Sequence, residues 1–333
     1  MKKILSFLLA MIMMLGVLTA CSNSTDSSGT EDAAATKTFK IGVIQPMDHP
    51  SLNQIRETII SELEALSSND GIKIEIDFKN ANGDISLLPS IIQNMLGSGV
   101  DMLVPIGTST AQAAKASATT VPIVFSAVSS PIEAGLVTSF EATTENITGV
   151  SNAIAIEDIF QLASELTPDV KVFGFIYNSS EINSATGINR AKAYCDEHGI
   201  AYKEATITGT ADLQQAAASL VGSVDAFFTP NDNTVASAMP TYLQVAMDAN
   251  LPTYVGADSM VADGALATVG IDYTLLGKQT VLMISRILQG ETIEENHVEQ
   301  IAEYAKMINI NTAENLDITI PDELMKEFVI IGE

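Results

Sequence analysis

The sequence predicts an α/β fold in which two doubly wound parallel-sheet lobes are joined by a hinge. Short apolar runs alternate with amphipathic stretches from Phe39 onward, and the same alternation recurs in the second half of the chain. The roughly 295 residues from Phe39 onward are enough for two domains of ordinary size. Alternating strands and helices with short connections imply parallel sheets that are covered by helices on both faces.

The first half contains five predicted strands. Each is an apolar run bounded by turn residues, as expected for a buried parallel strand. The predicted strands are residues 39–45, 72–78, 102–106, 122–126 and 147–151. The helices predicted between them are residues 52–66, 85–96 and 110–117. This order predicts one parallel sheet in the first lobe.

The second half repeats the pattern. Its predicted strands are residues 172–177, 201–206, 226–229 and 253–255, and its predicted helices are residues 185–197, 211–221 and 235–249. We expect Gly149, Val150 and Ser151 to carry the chain into the second lobe. We expect residues 269–272 to carry it back, before a helix at 275–288 packs on the first lobe. The expected bounds are 39–150 plus about 272–299 for lobe 1 and 151–271 for lobe 2, and the pattern assigns no docking place to residues 300–333.

The N-terminus has the pattern of a bacterial secretion signal. Lys2 and Lys3 precede an apolar run over residues 4–17. This run is shorter than the ~20 apolar residues that span a bilayer, which favours a cleaved signal. Leu-Thr-Ala-Cys at residues 18–21 resembles the bacterial lipobox, so residues 1–20 are predicted to be a lipoprotein signal peptide. Cys21 would then carry acyl chains of the palmitate type as a membrane anchor. An ordinary cleaved signal with a chance cysteine is the alternative.

Residues 21–38 are predicted to be a disordered tether, because they contain no large apolar side chain. Removal of residues 1–20 leaves 14 basic and 41 acidic residues, a formal charge of −27. This charge disfavours nucleic acid and anionic membrane surfaces as partners, so the lipid anchor is the only membrane attachment expected. Cys195 then remains alone in a predicted helix, where a buried, unreactive thiol is expected.

Polar residues follow the strands of the first lobe, where open parallel sheets bind ligands. Gln45 and His49 follow the first strand, and Gly107, Thr108 and Ser109 follow the third. The latter three begin a predicted helix whose amide groups can hold a carboxylate without a cationic side chain. A plain cap, in which Thr108 or Ser109 satisfies its own helix, is the alternative.

Further candidate binding residues follow the fourth strand and the strands of the second lobe. Ser126 and Ser129 offer hydroxyl groups, with a turn before proline as the alternative. The second-lobe candidates are Tyr177, Asn178, Glu181, Asn183, Asn231, Asp232, Asn233 and Asp258. A ligand ammonium held by Glu181, Asp232 or Asp258, opposite a carboxylate at Thr108 and Ser109, would describe an α-amino acid. Each acid alone is also typical of a helix cap or a turn.

Five segments, in this order and spacing, carry a resemblance to a known family. They are Ile-Gly-Val-Ile-Gln at 41–45, Gly-Thr-Ser-Thr-Ala at 107–111, Val-Phe-Ser-Ala-Val at 124–128, Tyr-Asn-Ser-Ser-Glu-Ile-Asn-Ser at 177–184 and Asp-Asn-Thr-Val at 232–235. They resemble the ABC-transporter substrate-binding family that includes tryptophan and tyrosine binders, over residues 39–333. The resemblance implies an extracytoplasmic clamp of the type I periplasmic-binding-protein fold, with an ABC permease and an ATPase as partners. It implies an aromatic amino acid as the first-guess ligand. Where relatives often carry Asp-Pro, this chain has Ser129-Ser130-Pro131.

An aromatic ligand would need flat partners, and His49, Phe125, Tyr177 and Tyr273 stand near predicted strand ends. Core packing is the alternative role for Phe125. For Tyr177 the alternative is a structural position with its hydroxyl at the rim, and for His49 it is a turn before proline.

Catalysis is not expected. The chain has three histidines and lacks a Cys-x-x-Cys pair, a His-Glu-x-x-His helix, a Gly-x-Ser-x-Gly elbow and a phosphate loop. We therefore predict no catalytic residue, no metal and no cofactor, and a monomeric chain. Two alternatives stay open: a sensory receptor that uses the same clamp to contact a signalling protein, and a transport protein whose ligand is a nucleoside, a purine or a branched amino acid.

Overall fold

The computed structural model describes residues 37–69, 72–118, 120–141 and 146–332. The predicted signal peptide, the acylated Cys21 and most of the predicted tether lie outside the described residues. No helix within the described ranges combines the length and apolar character needed to cross a membrane.

The described chain begins with a β-α alternation that runs to residue 151. Its elements are β1 (Thr38–Gln45), α1 (Pro50–Asn69), β2 (Lys73–Asn80), a 3₁₀ turn (Ile85–Leu87), α2 (Leu88–Gly97), β3 (Met102–Pro105), α3 (Thr108–Ser117), β4 (Ile123–Ser126) and β5 (Ile147–Ser151). Every residue of β3, β4 and β5 is buried, as expected for strands that are covered on both faces.

The remaining elements continue the alternation to the C-terminus. They are α4 (Ile156–Leu166), β6 (Val172–Asn178), α5 (Ile182–His198), β7 (Ala201–Ile207), a 3₁₀ turn (Thr210–Asp212), α6 (Leu213–Leu220), β8 (Ala226–Thr229), α7 (Asn233–Ala236), α8 (Met239–Asp248), β9 (Thr253–Val255), α9 (Asp258–Ala262), β10 (Ala267–Ile271), α10 (Tyr273–Leu288), β11 (Glu299–Gln300), β12 (Tyr304–Asn309), α11 (Ile310–Asn315), α12 (Asp322–Glu327) and β13 (Val329–Ile331).

Within the described residues, the strands form two sheets. The first sheet has the order β11-β5-β4-β3-β1-β2 and is parallel throughout. The second has the order β13-β12-β10-β9-β8-β6-β7, and β12 is antiparallel to β10. We call the first sheet with α1, α2, α3 and α10 lobe 1, and the second sheet with the other described helices lobe 2. The predicted α/β class with two parallel-sheet lobes is confirmed.

Helix α10 returns to lobe 1 after the second sheet has been built. It packs against α1 and against β4 and β5. The approach to α1 is close, because a Cβ added at Gly277 would lie 2.8 Å from the Cβ of Thr58. Residues 304–331 then cross again and extend the second sheet by β12 and β13, which gives the C-terminal segment a place that the sequence pattern did not assign.

Two predicted helices are interrupted where a proline occurs. The predicted helix at 235–249 is two helices, α7 and α8, and Pro240 stands in the first turn of α8. The predicted helix at 85–96 is a 3₁₀ turn followed by α2, with Pro89 in its first turn. Proline lacks the N–H that a helix interior needs, so each proline begins a new helix instead of continuing one.

Some elements were not predicted as they occur. Helix α4 buries six apolar or small residues against its sheet, although no helix was predicted at these positions. Gly149, Val150 and Ser151 lie within β5, so the chain leaves the first sheet only after them. Residues 267–271 form the buried strand β10 before the chain returns at Asp272.

Candidate functional site

The two sheets have the same internal strand order, and this order locates the site. In lobe 1 the order is β2-β1-β3-β4-β5, and in lobe 2 it is β7-β6-β8-β9-β10. Each order changes direction beside its first strand, between β1 and β3 and between β6 and β8. A crevice opens beyond the carboxyl ends of the strands at such a switch point. The polar segments after these four strands therefore belong to one cleft.

Lobe 1 contributes the N-terminus of α3. Gly107 precedes this helix with φ of 87°, a left-handed conformation that glycine adopts readily, and no side chain caps the helix. The hydroxyl groups of Thr108 and Thr110 are buried and have no hydrogen-bond partner among the described residues. The plain-cap alternative is therefore wrong for Thr108, and the free amide groups of the first turn remain available to an anion.

In lobe 2, the carboxylate of Glu181 is surrounded by donors from its own lobe. It accepts hydrogen bonds from the backbone N–H groups of Asn233 (3.1 Å) and Thr234 (3.0 Å). It also accepts from the side chains of Asn233 (2.6 Å), Thr234 (2.7 Å) and Asn183 (3.2 Å). Glu181 thus holds the N-terminus of α7, which favours negative charge.

Asp232 is also committed to its own lobe. One carboxylate oxygen accepts from the N–H of Val235 at 2.8 Å, and the other accepts from the N–H of Asn178 at 2.7 Å. Burial raises the pKa of Asp232, and the nearby charge of Glu181 adds to this effect. Asp232 therefore acts as the cap of α7 beneath the cleft surface.

Asp258 lies at the start of α9, where one of its oxygens accepts from the N–H of Ser259 at 2.6 Å. Burial raises the pKa of Asp258 to about 6, partly offset by the Ser259 hydrogen bond and reinforced by Asp272. The neighbouring Ser259 hydroxyl meets the Ser51 hydroxyl of α1 at 2.6 Å. Asp258 is thus placed beside a contact between the lobes.

His49 forms a second contact between the lobes. The side-chain N–H₂ group of Asn233 donates to Glu181, so its Oδ1 is the acceptor that faces His49 Nε2 at 3.3 Å. Burial lowers the pKa of His49 to about 4, against smaller opposing effects of Asn233, Glu181 and Asp48. The imidazole is therefore neutral near pH 7, with the proton on Nε2 and a buried, unpartnered Nδ1 within the described structure.

A third contact between the lobes is made by Asn231. Its Nδ2 donates to the hydroxyl of Ser129 at 2.8 Å and to the backbone carbonyl of Asn152 at 3.3 Å. Its Oδ1 is buried and has no partner among the described residues. A buried amide oxygen without a donor is costly, which makes it a candidate acceptor for a ligand.

Two adjoining cavities lie between the lobes. The inner one has a volume of about 10 Å³, room for about one water molecule. The outer one has a volume of about 700 Å³ and opens to solvent. Thr108, Asn183 and Asn233 line both cavities, so the two are parts of one cleft.

The structure brings most of the predicted site residues to this cleft. The outer cavity is lined by Thr108, Ser109, Asn178, Glu181, Asn183 and Asn233 among the predicted residues, and the inner one also by Ser129 and Asn231. The remaining predicted residues do not line either cavity: Gln45, His49, Gly107, Ser126, Tyr177, Asp232 and Asp258.

Several of these outlying residues have other partners. Gln45 donates to Met47, Asp48 and Asn53 of the following turn and helix. The hydroxyl of Ser126 pairs with Thr280 of α10 at 2.8 Å.

Most of the residues predicted to contact an aromatic ligand also do not line the cavities. Tyr177 donates to Glu204 of the neighbouring strand β7 at 3.0 Å, and Phe125 is fully buried in the core of lobe 1. Of the four predicted aromatic contacts, Tyr273 alone lines a cavity, the inner one.

Six residues that follow the edge strands also line the cleft, and none of them was predicted as a site residue. Asn82, Gly83 and Ile85 follow β2, and Thr208, Gly209 and Thr210 follow β7, and all six line the outer cavity. The same rule on carboxyl ends of strands would have found them, because Asn-Gly and Thr-Gly-Thr are turn signals directly after a strand.

The described residues contain no group of three or more His, Cys, Asp or Glu side chains placed to hold a metal ion. Cys195 is buried in α5, and burial raises the pKa of its thiol to about 12. The thiol is therefore protonated and unreactive at neutral pH.

Residues 40–329 match the family described as ABC transporter substrate binding protein. The chain belongs to this family. The resemblance stated from the sequence is thereby confirmed. Among curated relatives of this substrate-binding protein is the Tyrosine-binding protein of Clostridioides difficile (strain R20291), which is 34% identical over 320 residues and aligns with 95% of this chain and 93% of its own.

Two solved structures extend the comparison. An ABC domain from Streptococcus pneumoniae in complex with L-Trp is 34% identical, with a TM-score of 0.84 over 88% of this chain and 99% of that chain. A ligand-free, open substrate-binding protein with adhesive properties from Clostridium difficile is 32% identical with the same coverage, but its TM-score is 0.69. The present substrate-binding protein therefore superposes better on the L-Trp complex than on the ligand-free, open structure. The fold is the type I periplasmic-binding-protein fold.

Proposed function

We propose that this chain is the lipid-anchored, extracytoplasmic substrate-binding subunit of an ABC importer, and that it captures an aromatic amino acid between its lobes. The observation that carries the proposal is the cleft itself. Unpartnered polar atoms of lobe 1 (Thr108) and of lobe 2 (Asn231) line one inner cavity, in a chain 34% identical to a tyrosine-binding protein and to an L-Trp-bound protein.

The ligand carboxylate is assigned to the N-terminus of α3. The described residues that line the two cavities include no Lys or Arg, so amide and hydroxyl groups are the donors that they offer to an anionic group. Thr108 and Ser109 begin α3 and line the outer cavity. A helix N-terminus combines free N–H groups with the positive end of the helix dipole.

The ligand ammonium is assigned to Asn231 instead of to an acid. Glu181 and Asp232 already accept several hydrogen bonds from their own lobe. The Oδ1 of Asn231 has no donor among the described residues, and Asn231 lines the inner cavity. The neutral amide oxygen of Asn231 then makes the contact with the ammonium group, because its acceptor is not used by the protein.

Binding is proposed to proceed by closure of the two lobes. A ligand that contacts Thr108 on lobe 1 and Asn231 on lobe 2 binds the closed arrangement better than the open one, and it shifts the population toward closure. The inner cavity has room for about one water molecule, so the ligand must occupy mainly the outer cavity. The family is described by substrate binding, and we propose no reaction for this chain.

The ligand class is tested by thermal unfolding with a panel of aromatic amino acids, branched amino acids, nucleosides and purines. A ligand present at about 100 times its dissociation constant adds about 2.7 kcal/mol to stability. We expect L-tyrosine or L-tryptophan to raise the melting temperature. If only a nucleoside, a purine or a branched amino acid raises it, the aromatic assignment is wrong.

The anchor is tested separately in cells. We expect the natural chain to fractionate with the membrane and the Cys21→Ala variant to be released or retained as unprocessed precursor. A natural chain found free outside the membrane fraction would contradict the lipid anchor and leave the ligand assignment untouched.

A further inference from the structure

The outer cavity carries apolar side chains from both lobes, although polar residues dominate its walls. Met47 and Ile85 belong to lobe 1, and Ile182 belongs to lobe 2. Ile85 is 56% exposed and lines this cavity, so its apolar surface is accessible to a ligand there. None of the described residues that line this cavity is aromatic.

We propose that Met47, Ile85 and Ile182 form the subsite that holds the apolar side chain of the ligand. This inference rests on the proposed function, because it takes the ligand to be an amino acid whose carboxylate lies at α3. The ring would then be packed between aliphatic groups of the two lobes. Flat aromatic partners are not needed, because burial of apolar area supplies the affinity.

The geometry of the cavity supports this placement. Thr108 and Ser109 line the same outer cavity as Ile85, so a ligand anchored at α3 extends toward the 3₁₀ turn that follows β2. Gly209 lines the cavity from lobe 2, and a Cβ added there would have no heavy atom within 4 Å. That part of the wall therefore has free space beside the Gly209 backbone.

The placement across the lobes also couples the side chain to closure. Ile182 is the first residue of α5, and it packs against the buried core cluster of lobe 1. A ring between Ile85 and Ile182 gains its full contact only when the lobes are together. Aromatic and large aliphatic amino acids would therefore stabilise the closed form through contacts at this subsite. Glycine and alanine would lack these contacts and would favour closure less.

The chain offers a direct optical test, because its sequence contains no tryptophan. Fluorescence excited beyond the tyrosine band then comes from the added L-tryptophan and not from the protein, and the emission of the free amino acid, recorded without protein, is subtracted to give that of the bound ring. We expect a blue-shifted emission on binding and protection from an aqueous quencher.

The matched pair of variants is Ile85→Ser and Leu87→Ser. Both residues belong to the same 3₁₀ turn and both are exposed, at 56% and 46%, so neither change should disturb the fold. Leu87 does not line the cavity. We expect Ile85→Ser to raise the dissociation constants of L-tryptophan and L-tyrosine by about tenfold and to reduce the blue shift. Leu87→Ser should leave both unchanged.

Calorimetry on the natural chain distinguishes failure of the proposed function from failure of the subsite alone. If the natural chain binds neither L-tryptophan nor L-tyrosine, the proposed function fails, and the subsite fails with it. If it binds them and the Ile85→Ser variant binds equally well, with the same emission, then the function stands and the subsite is overturned.

Discussion

The two walls of the cleft use polar groups in opposite ways. On the lobe 1 wall, the α3 N-terminus has no side-chain cap, and the hydroxyls of Thr108 and Thr110 lack partners among the described residues. On the lobe 2 wall, Glu181 and Asp232 are saturated by donors of their own lobe. Lobe 1 thus offers unsatisfied donors and lobe 2 offers a rigid, internally bonded frame, so a ligand anion should be recognised mainly by lobe 1.

The difference follows from how each helix begins. Helix α7 has an acid as its cap and a second acid over its first turn, whereas α3 begins after glycine. An acid at a helix N-terminus occupies the place that a ligand anion would take. The two switch points share one topology, yet only the one without acids remains open to a carboxylate.

The largest expected effect comes from placing an acid on the open wall. Thr108→Glu should abolish measurable amino acid binding, because the new carboxylate occupies the positive end of α3 and repels the ligand anion. The fold should be retained, since an acid in the first helical turn is favourable. Calorimetry measures binding, and circular dichroism checks the fold. Ala116→Glu, an exposed position late in the same helix, is the charge-matched control. Full binding by Thr108→Glu would remove α3 from the site.

The next effect concerns the neutral imidazole between the walls. The pKa of His49 is about 4 in the folded chain and 6.5 in the reference state, so the unfolded chain takes up the proton first as the pH falls. The free energy of unfolding should therefore decrease by about 3 kcal/mol between pH 6.5 and pH 4 through this residue. Denaturant titrations of the natural chain and of His49→Gln measure the difference.

The control for this pH effect is His198→Gln. His198 is exposed at the end of α5, so this variant controls for the loss of a histidine outside the contact between the lobes. A His49→Gln variant with the same pH profile as the natural chain would show that His49 titrates alike in both states.

A third effect tests the rigid frame of lobe 2. A Cβ added at Gly256 would lie 2.7 Å from the backbone nitrogen of Asn231 and 3.0 Å from the carbonyl carbon of Pro230. Gly256→Ala should therefore displace Asn231 and weaken ligand binding about 30-fold, a loss of about 2 kcal/mol. Gly97→Ala is the control, because a Cβ added there meets no heavy atom within 4 Å and Gly97 lines neither cavity. Equal affinity in the two variants would mean that the position of Asn231 is unimportant for binding.

The smallest expected effect on ligand affinity comes from a contact between the lobes that lies outside both cavities. Ser51 and Ser259 share a buried 2.6 Å hydrogen bond, and neither lines either cavity. Ser259→Ala should raise the dissociation constants of L-tyrosine and L-tryptophan by one common factor of about five, because it lowers the population of the closed form. Ser51→Ala and the double variant should give the same factor. A factor that differs between the two ligands would indicate direct contact instead.

The sequence pattern predicted which polar residues follow the strands, but not which hydrogen bonds their side chains make. That Glu181 and Asp232 follow β6 and β8 can be read from the chain, and both were proposed as partners for an ammonium. The carboxylate of Glu181 accepts from the N–H of Asn233, 52 positions away in sequence, and that of Asp232 accepts from the N–H of Asn178, 54 positions away. Only the packed structure shows which acceptors are already satisfied, because such bonds depend on the distance between segments that are remote in sequence.

The chain by itself determined the alternation of strands and helices, the two-lobe class and the location of polar residues at strand ends, because these depend on local periodicity and on turn residues. The tertiary structure decided which of those residues face the cleft. It turned Tyr177 and Ser126 toward partners within their own lobes and brought Ile85 and Ile182 to one cavity. A side chain's direction and partners are fixed by packing between segments far apart in sequence, and no local pattern contains that information.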